Sequence, residues 1–355
     1  MRKESLAFFK ELVNTPSPSG YETKAAEVYR SYAKPFADEI RTDVMGNVWA
    51  MINAKAKRQV MLAGHMDEIG FAVHYVSDEG LLYFSAIGGH DSAIPVGQRV
   101  WIHGPKGQVP GVIGRKAIHL LTQDERKQKP ELDDLWIDIG VSSRNDAMDL
   151  IELGDVVTYQ WEFQKLAGDV VTARGFDNKM GCFIVAEALR HLSEKKPNKD
   201  VGVIAVATVQ EEIGLRGART SAIGTQAEAG IAVDVTHAID YPSVDKKKHG
   251  DMRIGKGPVV ARGANINPVM FDLTKQAAKD EGIDIQIEVE PGGTGTDANA
   301  MQIAGAGMAT GLLGVAIRYM HTPVEVLSLT DVEQCATLMA AVCRKITAKT
   351  DFTPR

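Results

Sequence analysis

The chain has 355 residues, of which 44% are hydrophobic and 24% charged, so it can bury a core and is too apolar to remain disordered. At about 150 residues per domain, this length predicts about two domains. The 40 basic and 46 acidic residues give a net charge of −6 without a long basic block. This balance predicts no nucleic-acid partner and no membrane partner.

The cysteine content predicts a protein of the reducing cytoplasm. The three cysteines are Cys182, Cys335 and Cys343. Their odd number and wide spacing argue against a disulfide framework or a thiolate zinc site. Residues 1–13 carry charges inside an amphipathic pattern, which predicts a helix and not a signal peptide.

The first segment of the chain predicts two helices followed by two strands. Apolar residues recur at helical spacing over 6–13, and a second helix is predicted over 22–33. Short apolar strands are predicted over 47–51 and 60–63. The second of these strands runs directly into His65.

The pattern changes to short strands separated by glycine and proline turns between residues 70 and 161, which is typical of a small β-barrel or sandwich. The predicted strands cover 70–76, 81–85, 99–103, 108–112, 135–138 and 155–160. The polar run 122–134 is predicted to be an exposed loop. A short helix is predicted over 142–152, with Ser142 or Ser143 as its cap.

Strands and helices alternate after residue 166. Strands are predicted over 201–209, 231–235, 283–289, 308–313 and 315–317, and helices over 269–281, 297–305 and 329–347. The run 201–209 is almost wholly apolar, as a strand buried on both faces should be. Because the segments before residue 67 share this α/β pattern, the sequence predicts one α/β domain interrupted by a β-rich insert.

Acidic and imidazole side chains stand at the ends of several predicted strands. They are His65, Asp67, Asp177, Glu211, Glu212, Asp234 and His321. In open α/β sheets, sites gather beyond the carboxyl ends of the strands. Imidazoles and carboxylates without thiolates suit one or two zinc, cobalt or manganese ions.

Each of these residues also has a simpler structural interpretation. His65 alone fits a core histidine, Asp177 a helix cap, and His321 an exposed turn. The adjacent Glu211 and Glu212 would ordinarily be a solvated pair, but they follow a buried strand. Two carboxylates there repel each other unless a cation lies between them, which favours the metal interpretation.

Five motifs together resemble the M42 family of di-metal aminopeptidases. They are 64–70 (GHMDEIG), 173–181 (ARGFDNKMG), 210–218 (QEEIGLRGA), 232–236 (AVDVT) and 318–325 (RYMHTPVE). The resemblance covers about residues 6–341, with the motifs in family order, and the insert also matches at 134–143. One local difference is that the segment 292–297, at the pocket wall, is longer than a shorter Gly-Gly-Thr-Asp form.

The resemblance implies a three-layer α/β/α peptidase domain of residues 1–67 and 165–355, with a small β-barrel dimerisation domain of residues 68–164 inserted in it. It also implies a homo-oligomer, either a dimer or a tetrahedral dodecamer, that acts on short peptides. The peptide bond between Asp177 and Asn178 is predicted to be cis.

The resemblance further implies two divalent ions per subunit, zinc or cobalt, with manganese as a further candidate. Asp177 would bridge the ions, His65 and Asp234 would complete one, and Glu212 and His321 the other. Two residues have roles beside the metal ligands: Glu211 would be the general acid/base and Asp67 would orient His65.

This ligand set predicts hydrolysis of the amino-terminal peptide bond by a metal-bridging water, with Glu211 moving the proton. The residues themselves leave two alternatives open: another di-metal amide hydrolase, such as a carboxypeptidase or N-deacylase, and a non-catalytic oligomeric scaffold. A glycosidase using Glu211 and Glu212 is disfavoured, because neighbours on a strand point to opposite faces. The preferred amino-terminal residue stays open.

Overall fold

The computed structural model describes residues 1–354, which form an α/β sheet with helices around it and a separate β-barrel. The strands are β1 (Glu39–Thr42), β2 (Val48–Ile52), β3 (Arg58–His65), β4 (Gly70–Val76), β5 (Leu82–Ile87), β6 (Arg99–Gly104), β7 (Gly107–Gly114), β8 (Trp136–Asp138), β9 (Val156–Tyr159), β10 (Gln164–Lys165), β11 (Val170–Ala173), β12 (Val201–Thr208), β13 (Ala229–His237), β14 (Val259–Gly263), β15 (Gln286–Glu290), β16 (Ala309–Ile317) and β17 (Glu325–Ser328). The α-helices are α1 (Lys3–Asn14), α2 (Thr23–Ala33), α3 (Arg144–Met148), α4 (Phe176–Glu194), α5 (Arg216–Thr225), α6 (Lys246–His249), α7 (Pro268–Glu281), α8 (Asp297–Gln302) and α9 (Leu329–Lys345). No helix within residues 1–354 has both the length and the apolar character needed to cross a bilayer.

The central sheet has eight strands in the order β1-β2-β12-β3-β13-β16-β14-β15. Strands β12, β3, β13 and β16 are mutually parallel neighbours, so their carboxyl ends lie at one edge of the sheet. Strand β12 is buried along its whole length, as its apolar sequence predicted. Helices α4 and α9 pack together beside the sheet, and α5 and α8 form a second packed pair. These layers confirm the predicted α/β/α class.

A closed barrel of six strands, in the order β4-β5-β8-β7-β6-β9, forms a second structural unit. Each of its strands corresponds to one of the six strands predicted between residues 70 and 161. Its interior is filled by its own apolar cluster, which includes Phe71, Phe84, Ile102 and Ile137. The barrel confirms the β-rich insert, whereas the division at residues 67 and 165 and the dimerisation role stay predictions.

The sequence prediction differs from the structure mainly at short strands. It missed β1, β10, β11, β14 and β17, which have two to five residues each. It also divided β16 into two strands at Gly314. The strand is continuous at Gly314, because this residue pairs with Asp234 of β13 on one side and with Val259 of β14 on the other.

A buried ion cluster lies where the chain passes from β3 into the barrel. Glu68 is 2% exposed, and its two carboxylate oxygens contact the guanidinium of Arg174 and the ammonium of Lys179, the latter at 2.7 Å. Lys179 also donates to the carbonyl of Thr15 at 2.6 Å. The cluster therefore ties the entry to the barrel to β11, α4 and the end of α1.

We predict that Glu68→Gln lowers the free energy of unfolding by about 3–5 kcal/mol, because it leaves two buried cations without their carboxylate. Urea unfolding followed by circular dichroism measures this. Glu333→Gln is the matched control, since Glu333 pairs with the amino terminus at 47% side-chain exposure, and it should cost less than about 1 kcal/mol. Equal stability of the two variants would contradict the prediction.

The same cluster sets an acid dependence of stability. Burial raises the pKa of Glu68, but Arg174 and Lys179 outweigh it and lower that pKa from 4.5 to about 2. Since the folded pKa lies below the unfolded one, the contribution is complete above pH 4.5 and is lost as the pH falls towards 2. The wild type should therefore lose more stability than Glu68→Gln across this interval.

Candidate active site

The carboxyl ends of four neighbouring parallel strands deliver most of the candidate side chains to one place. His65 is the last residue of β3, Asp234 lies in β13, and His321 follows β16. Glu211 and Glu212 follow β12, whose last residue, Thr208, pairs with His65. The strand-end rule used on the sequence therefore locates the cluster correctly.

Asp177 reaches the same cluster from the start of α4. This helix lies very close to β3: a Cβ atom on Gly64 would lie 2.5 Å from the carbonyl carbon of Gly181. Glycine at Gly64 thus permits the close approach that brings Asp177 beside His65. The Asp177–Asn178 peptide bond is cis, as predicted.

Asp177 lies between the two imidazoles and uses a different oxygen for each. Its Oδ1 is 3.3 Å from Nε2 of His65, and its Oδ2 is 3.2 Å from Nε2 of His321. The carboxylate is 6% exposed. This arrangement is what a carboxylate shared by two cations requires.

The second nitrogen of each imidazole is already engaged. Nδ1 of His65 lies 3.3 Å from Oδ1 of Asp67 and 3.2 Å from its carbonyl oxygen. Nδ1 of His321 lies 2.9 Å from the carbonyl oxygen of Gly89, in the insert. A proton held at Nδ1 leaves Nε2 free as a metal ligand, which is the usual arrangement of metal-binding histidines.

Asp67 also holds the two neighbouring glutamates in place. Its Oδ1 accepts the backbone N–H of Glu211 at 3.0 Å, and its Oδ2 accepts that of Glu212 at 3.1 Å and the hydroxyl of Ser19 at 2.6 Å. Burial raises the pKa of Asp67, but hydrogen bonds from His65 and Ser19 outweigh it and lower that pKa. Asp67 is therefore an anion that orients three other groups of the site.

The remaining carboxylates repel one another strongly. Burial is the largest cause that raises the pKa of Glu211 to about 10, of Glu212 to about 8 and of Asp234 to about 8. His65 lowers each of these values, but neighbouring carboxylates raise them again, for example Asp177 beside Glu212. In the absence of a cation, each of these carboxyl groups therefore favours its neutral form more strongly than an exposed carboxyl group does.

The donor set fits a divalent cation. Two groups of three side chains place their ligand atoms within 4.8 Å of one another, namely His65, Glu211 and Asp234, and His65, Asp177 and Glu212. The Oε1 atom of Glu212 is buried and has no hydrogen-bond partner among residues 1–354, so a cation would satisfy it. Because Glu211 lies in the first group, these distances alone do not show whether Glu211 is the general base or a metal ligand.

The structure corrects one step of the sequence argument. Strand β12 ends at Thr208, and Gln210 has φ +55°, so Glu211 and Glu212 lie in a turn and not on a strand. Both carboxylates face the cluster: Glu211 Oε2 is 3.6 Å from Nε2 of His65, and Glu212 Oε2 is 3.6 Å from Nε2 of His321. The sequence argument that Glu211 and Glu212 point to opposite faces of a strand is therefore wrong, and it does not exclude a glycosidase.

A cavity of about 700 Å³ opens directly over the cluster. One wall carries Gly293, Thr294 and Thr296, so the segment 292–297 does form the pocket wall. Another wall carries Glu288 and Glu290, which were not singled out in the sequence. The missed signal is the alternation of β15, in which Glu288 and Glu290 are half-buried whereas the alternate residues Ile287 and Val289 are exposed.

Two further buried carboxylates also escaped the sequence analysis. Asp297 is 1% exposed, accepts a hydrogen bond from Thr208 at 2.6 Å, and has an Oδ1 without a partner in the described chain. Glu325 is 2% exposed and accepts two backbone hydrogen bonds in the site. Glu325 belongs to the motif 318–325, but the sequence does not show that it bonds the backbone N–H groups of Asp177 and His321.

A buried group of imidazoles and carboxylates at the ends of parallel strands, open to a cavity, is the arrangement of a metallohydrolase. The sequence model of the family described as M42 glutamyl aminopeptidase matches residues 46–338. The chain therefore belongs to the M42 family, whose members are metal-dependent, and it is an aminopeptidase.

Individual relatives agree with this assignment along the whole chain. A lysyl aminopeptidase of Pyrococcus furiosus is 36% identical over 348 residues, covering 97% of this chain and 98% of that one. The crystal structure of a TET aminopeptidase from a marine-sediment Thaumarchaeota archaeon has a TM-score of 0.92 at 31% identity and covers 98% of both chains. A Pyrococcus horikoshii TET1 peptidase, which can assemble into a tetrahedron or a large octahedral shell, has a TM-score of 0.85 at 32% identity and covers 96% of this chain and 100% of that one.

The family decides among the functions that the residues left open. An aminopeptidase is favoured over the carboxypeptidase, the N-deacylase and the non-catalytic scaffold. The individual roles of the site residues stay predictions.

Proposed function

We propose that the enzyme removes the amino-terminal residue of short peptides with two divalent cations bound in the cluster. His65 and Asp234 hold one cation, Glu212 and His321 hold the other, and Asp177 is shared. The observation that supports this most directly is that Asp177 presents a separate oxygen to each imidazole, at 3.3 and 3.2 Å. The imidazole and carboxylate donors suit zinc or cobalt, with manganese as a further candidate.

The proposed chemistry assigns the proton transfer to Glu211. When bound, the cations would polarise the scissile carbonyl and lower the pKa of a water molecule. Glu211 accepts the proton of the attacking water on its carboxylate and returns it to the leaving amine. Asp67 keeps Glu211 in reach of the peptide through the backbone N–H, and it keeps Nε2 of His65 free for a cation.

The cavity wall further indicates a preference for basic amino-terminal residues. In β15, Ile287 and Val289 are 42% and 71% exposed, whereas Glu288 and Glu290 line the cavity. Glu288 is oriented by a hydrogen bond that Thr236 donates to its Oε1 at 2.5 Å. Burial is the main cause that raises the pKa of Glu288, and the charge of Glu290 raises it further, so a cation beside this pair would lower that pKa and be attracted to it.

Two other observations support this preference. Among residues 1–354, no lysine or arginine lies within 4.0 Å of either carboxylate of the β15 wall, so a substrate ammonium or guanidinium group could take that place. The Pyrococcus furiosus relative with 36% identity is a lysyl aminopeptidase.

We also propose that the chain forms a homo-oligomer through the barrel, as a dimer or a dodecamer. The Pyrococcus horikoshii neighbour forms tetrahedral or octahedral shells. The barrel region exposes large apolar side chains, among them Ile118 at 61% and Leu120 at 70%. A contact between chains would remove this apolar surface from water.

We place the enzyme in the cytoplasm. Cys182, Cys335 and Cys343 are all buried thiols without a disulfide partner. Burial raises the pKa of Cys335 far above its usual range and that of Cys343 to about 12, so these thiols are poorly reactive. This state agrees with a reducing compartment.

The first test separates the general base from a metal ligand. Glu211→Gln should keep both cations and lower kcat by at least about 10²-fold, because it removes the proton acceptor and keeps the side-chain shape. Glu212→Gln should lose one cation, and added metal should restore part of its activity. Elemental analysis beside steady-state kinetics measures both variants. Loss of metal in Glu211→Gln with full metal in Glu212→Gln would reverse the assignment.

The second test concerns the substrate. Lysyl and arginyl anilides should be cleaved better than leucyl and glutamyl anilides. Glu288→Gln and Glu290→Gln should lower kcat/KM for the lysyl substrate by about 10-fold or more, since a hydrogen bond to a charged group contributes about 1.5–3 kcal/mol. The leucyl substrate is the internal control and should change little. A parallel loss with both substrates would remove these glutamates from side-chain recognition.

The third test concerns assembly. Ile118→Glu and Leu120→Glu place charges on the exposed apolar surface of the barrel, so they should lower the molar mass measured by analytical ultracentrifugation. Ile223→Glu is the control, because Ile223 is 52% exposed on α5, outside the barrel. An unchanged mass in the barrel variants would locate the subunit contact elsewhere.

A further inference from the structure

Glu325 is a buried carboxylate that the mechanism above does not use. It is the first residue of β17 and is 2% exposed. Its Oε2 accepts the backbone N–H of Asp177 at 3.1 Å, and its Oε1 accepts the backbone N–H of His321 at 3.0 Å. Both of its oxygens are therefore engaged by main-chain groups and not directed at the cavity.

The two residues that Glu325 holds are the shared ligand and one of the unshared ligands of the proposed cations. They come from distant parts of the chain, 144 residues apart in number. Strand β17 brings them together, since it pairs with β11 in a register that places Glu325 opposite Ala173, four residues before Asp177. The short three-stranded sheet β10-β11-β17 therefore has a role at the site that its size does not suggest.

The turn that carries His321 needs such support. His321 and Tyr319 have φ values of +60° and +61°, in the left-handed region that side chains other than glycine adopt at a cost. The hydrogen bond from the His321 N–H to Glu325 stabilises that conformation. From outside the cluster, His321 is also held by Gly89, whose carbonyl oxygen contacts Nδ1 of the imidazole.

A second buried carboxylate binds two backbone N–H groups on the other side of the cluster. Asp67 accepts the backbone N–H groups of Glu211 and Glu212 with its two oxygens, as Glu325 does for Asp177 and His321. Two buried carboxylates thus fix the main chain of four functional residues. Such outer hydrogen bonds typically change metal affinity by about 10–100-fold.

We propose that Glu325 is a positioning residue that sets the separation of Asp177 and His321 and thereby the affinity for the cation between His321 and Glu212. This inference rests on the ligand set of the proposed function. Two of the three ligands of that cation depend on Glu325. The cation between His65 and Asp234 shares only Asp177, so it depends on Glu325 less.

The test is retention of metal by the cobalt-loaded enzyme in a titration with EDTA, with cobalt counted by elemental analysis. Glu325→Gln leaves one acceptor for two N–H donors, and Glu325→Asp keeps the carboxyl group but is one methylene too short to reach both. In both variants, the EDTA concentration that removes the first cobalt should fall by about 10–100-fold. The second cobalt should leave at nearly the wild-type concentration.

A matched control is present in the same fold. Asp331 is 1% exposed, and its two oxygens accept the backbone N–H groups of Gly255 and Gly257 at 2.6 and 2.9 Å, outside the proposed ligand set. Asp331→Asn removes the same kind of contact and should leave both EDTA midpoints unchanged. Melting of the metal-free proteins is measured in parallel, and the Glu325 variants should melt no lower than Asp331→Asn.

Three results would overturn the proposal. Wild-type cobalt retention in Glu325→Asp together with loss in Glu325→Gln would mean that the carboxyl group matters and its reach does not. Metal-free Glu325 variants that melt far below Asp331→Asn would assign a structural role. Retention in both Glu325 variants would exclude any role in binding. His321→Ala separates this failure from that of the proposed function: if it keeps both cobalt ions, the ligand set is wrong, whereas if it loses one, only the role of Glu325 is wrong.

Discussion

The burial of several carboxyl groups close to one another is the constraint on which the rest of the site depends. Glu211, Glu212 and Asp234 lie close enough together, and far enough from water, that their pKa values rise to about 8–10. A sequence gains no stability from such an arrangement, so its presence needs a compensating positive charge. An imidazole that keeps its proton at Nδ1 and offers Nε2 to a metal is neutral, so the proposed cations would supply that charge. The parallel strands, the glycine contact of α4 with β3 and the turns after β12 and β16 all serve to bring these groups together.

The converging loops are not held by regular secondary structure, so buried carboxylates hold them instead. Asp67 fixes the main chain of Glu211 and Glu212, and Glu325 accepts from Asp177 and His321. In both cases one buried carboxyl group accepts hydrogen bonds from two N–H groups that lie far apart in the sequence or in a turn. The ligand atoms can then stay free for a cation, because the forces that position them act on the backbone. The site is therefore built from two kinds of carboxylate, one that faces the cavity and one that faces the main chain.

The location of the site was predictable from the sequence because it follows from strand ends, and burial of 201–209 was visible as an apolar run. The six barrel strands were predictable for the same reason, since their turns are marked by glycine and proline. The short strands β11 and β17 were not, because pairing between distant segments leaves no local pattern in strands of four residues. Glu325 was therefore unrecognised inside a known motif. The contact of Gly89 with His321 was also not predictable, because it involves a backbone carbonyl group, which every residue possesses.

The cavity separates chemistry from selection of the substrate. The proposed ligands stand on β3, β13 and the turns beside them, in the centre of the sheet, where each strand is buried between neighbours. Glu288 and Glu290 stand on β15, the outermost strand, which is bonded to the sheet through β14 alone. A substitution on this edge changes the charge of the wall without disturbing the packing that positions the proposed ligands. The central strands tolerate less change, because a shift of β3 or β13 would move one of the proposed metal ligands. The proposed preference for a basic residue therefore depends on an edge strand, whereas the proposed metal ligands depend on central strands.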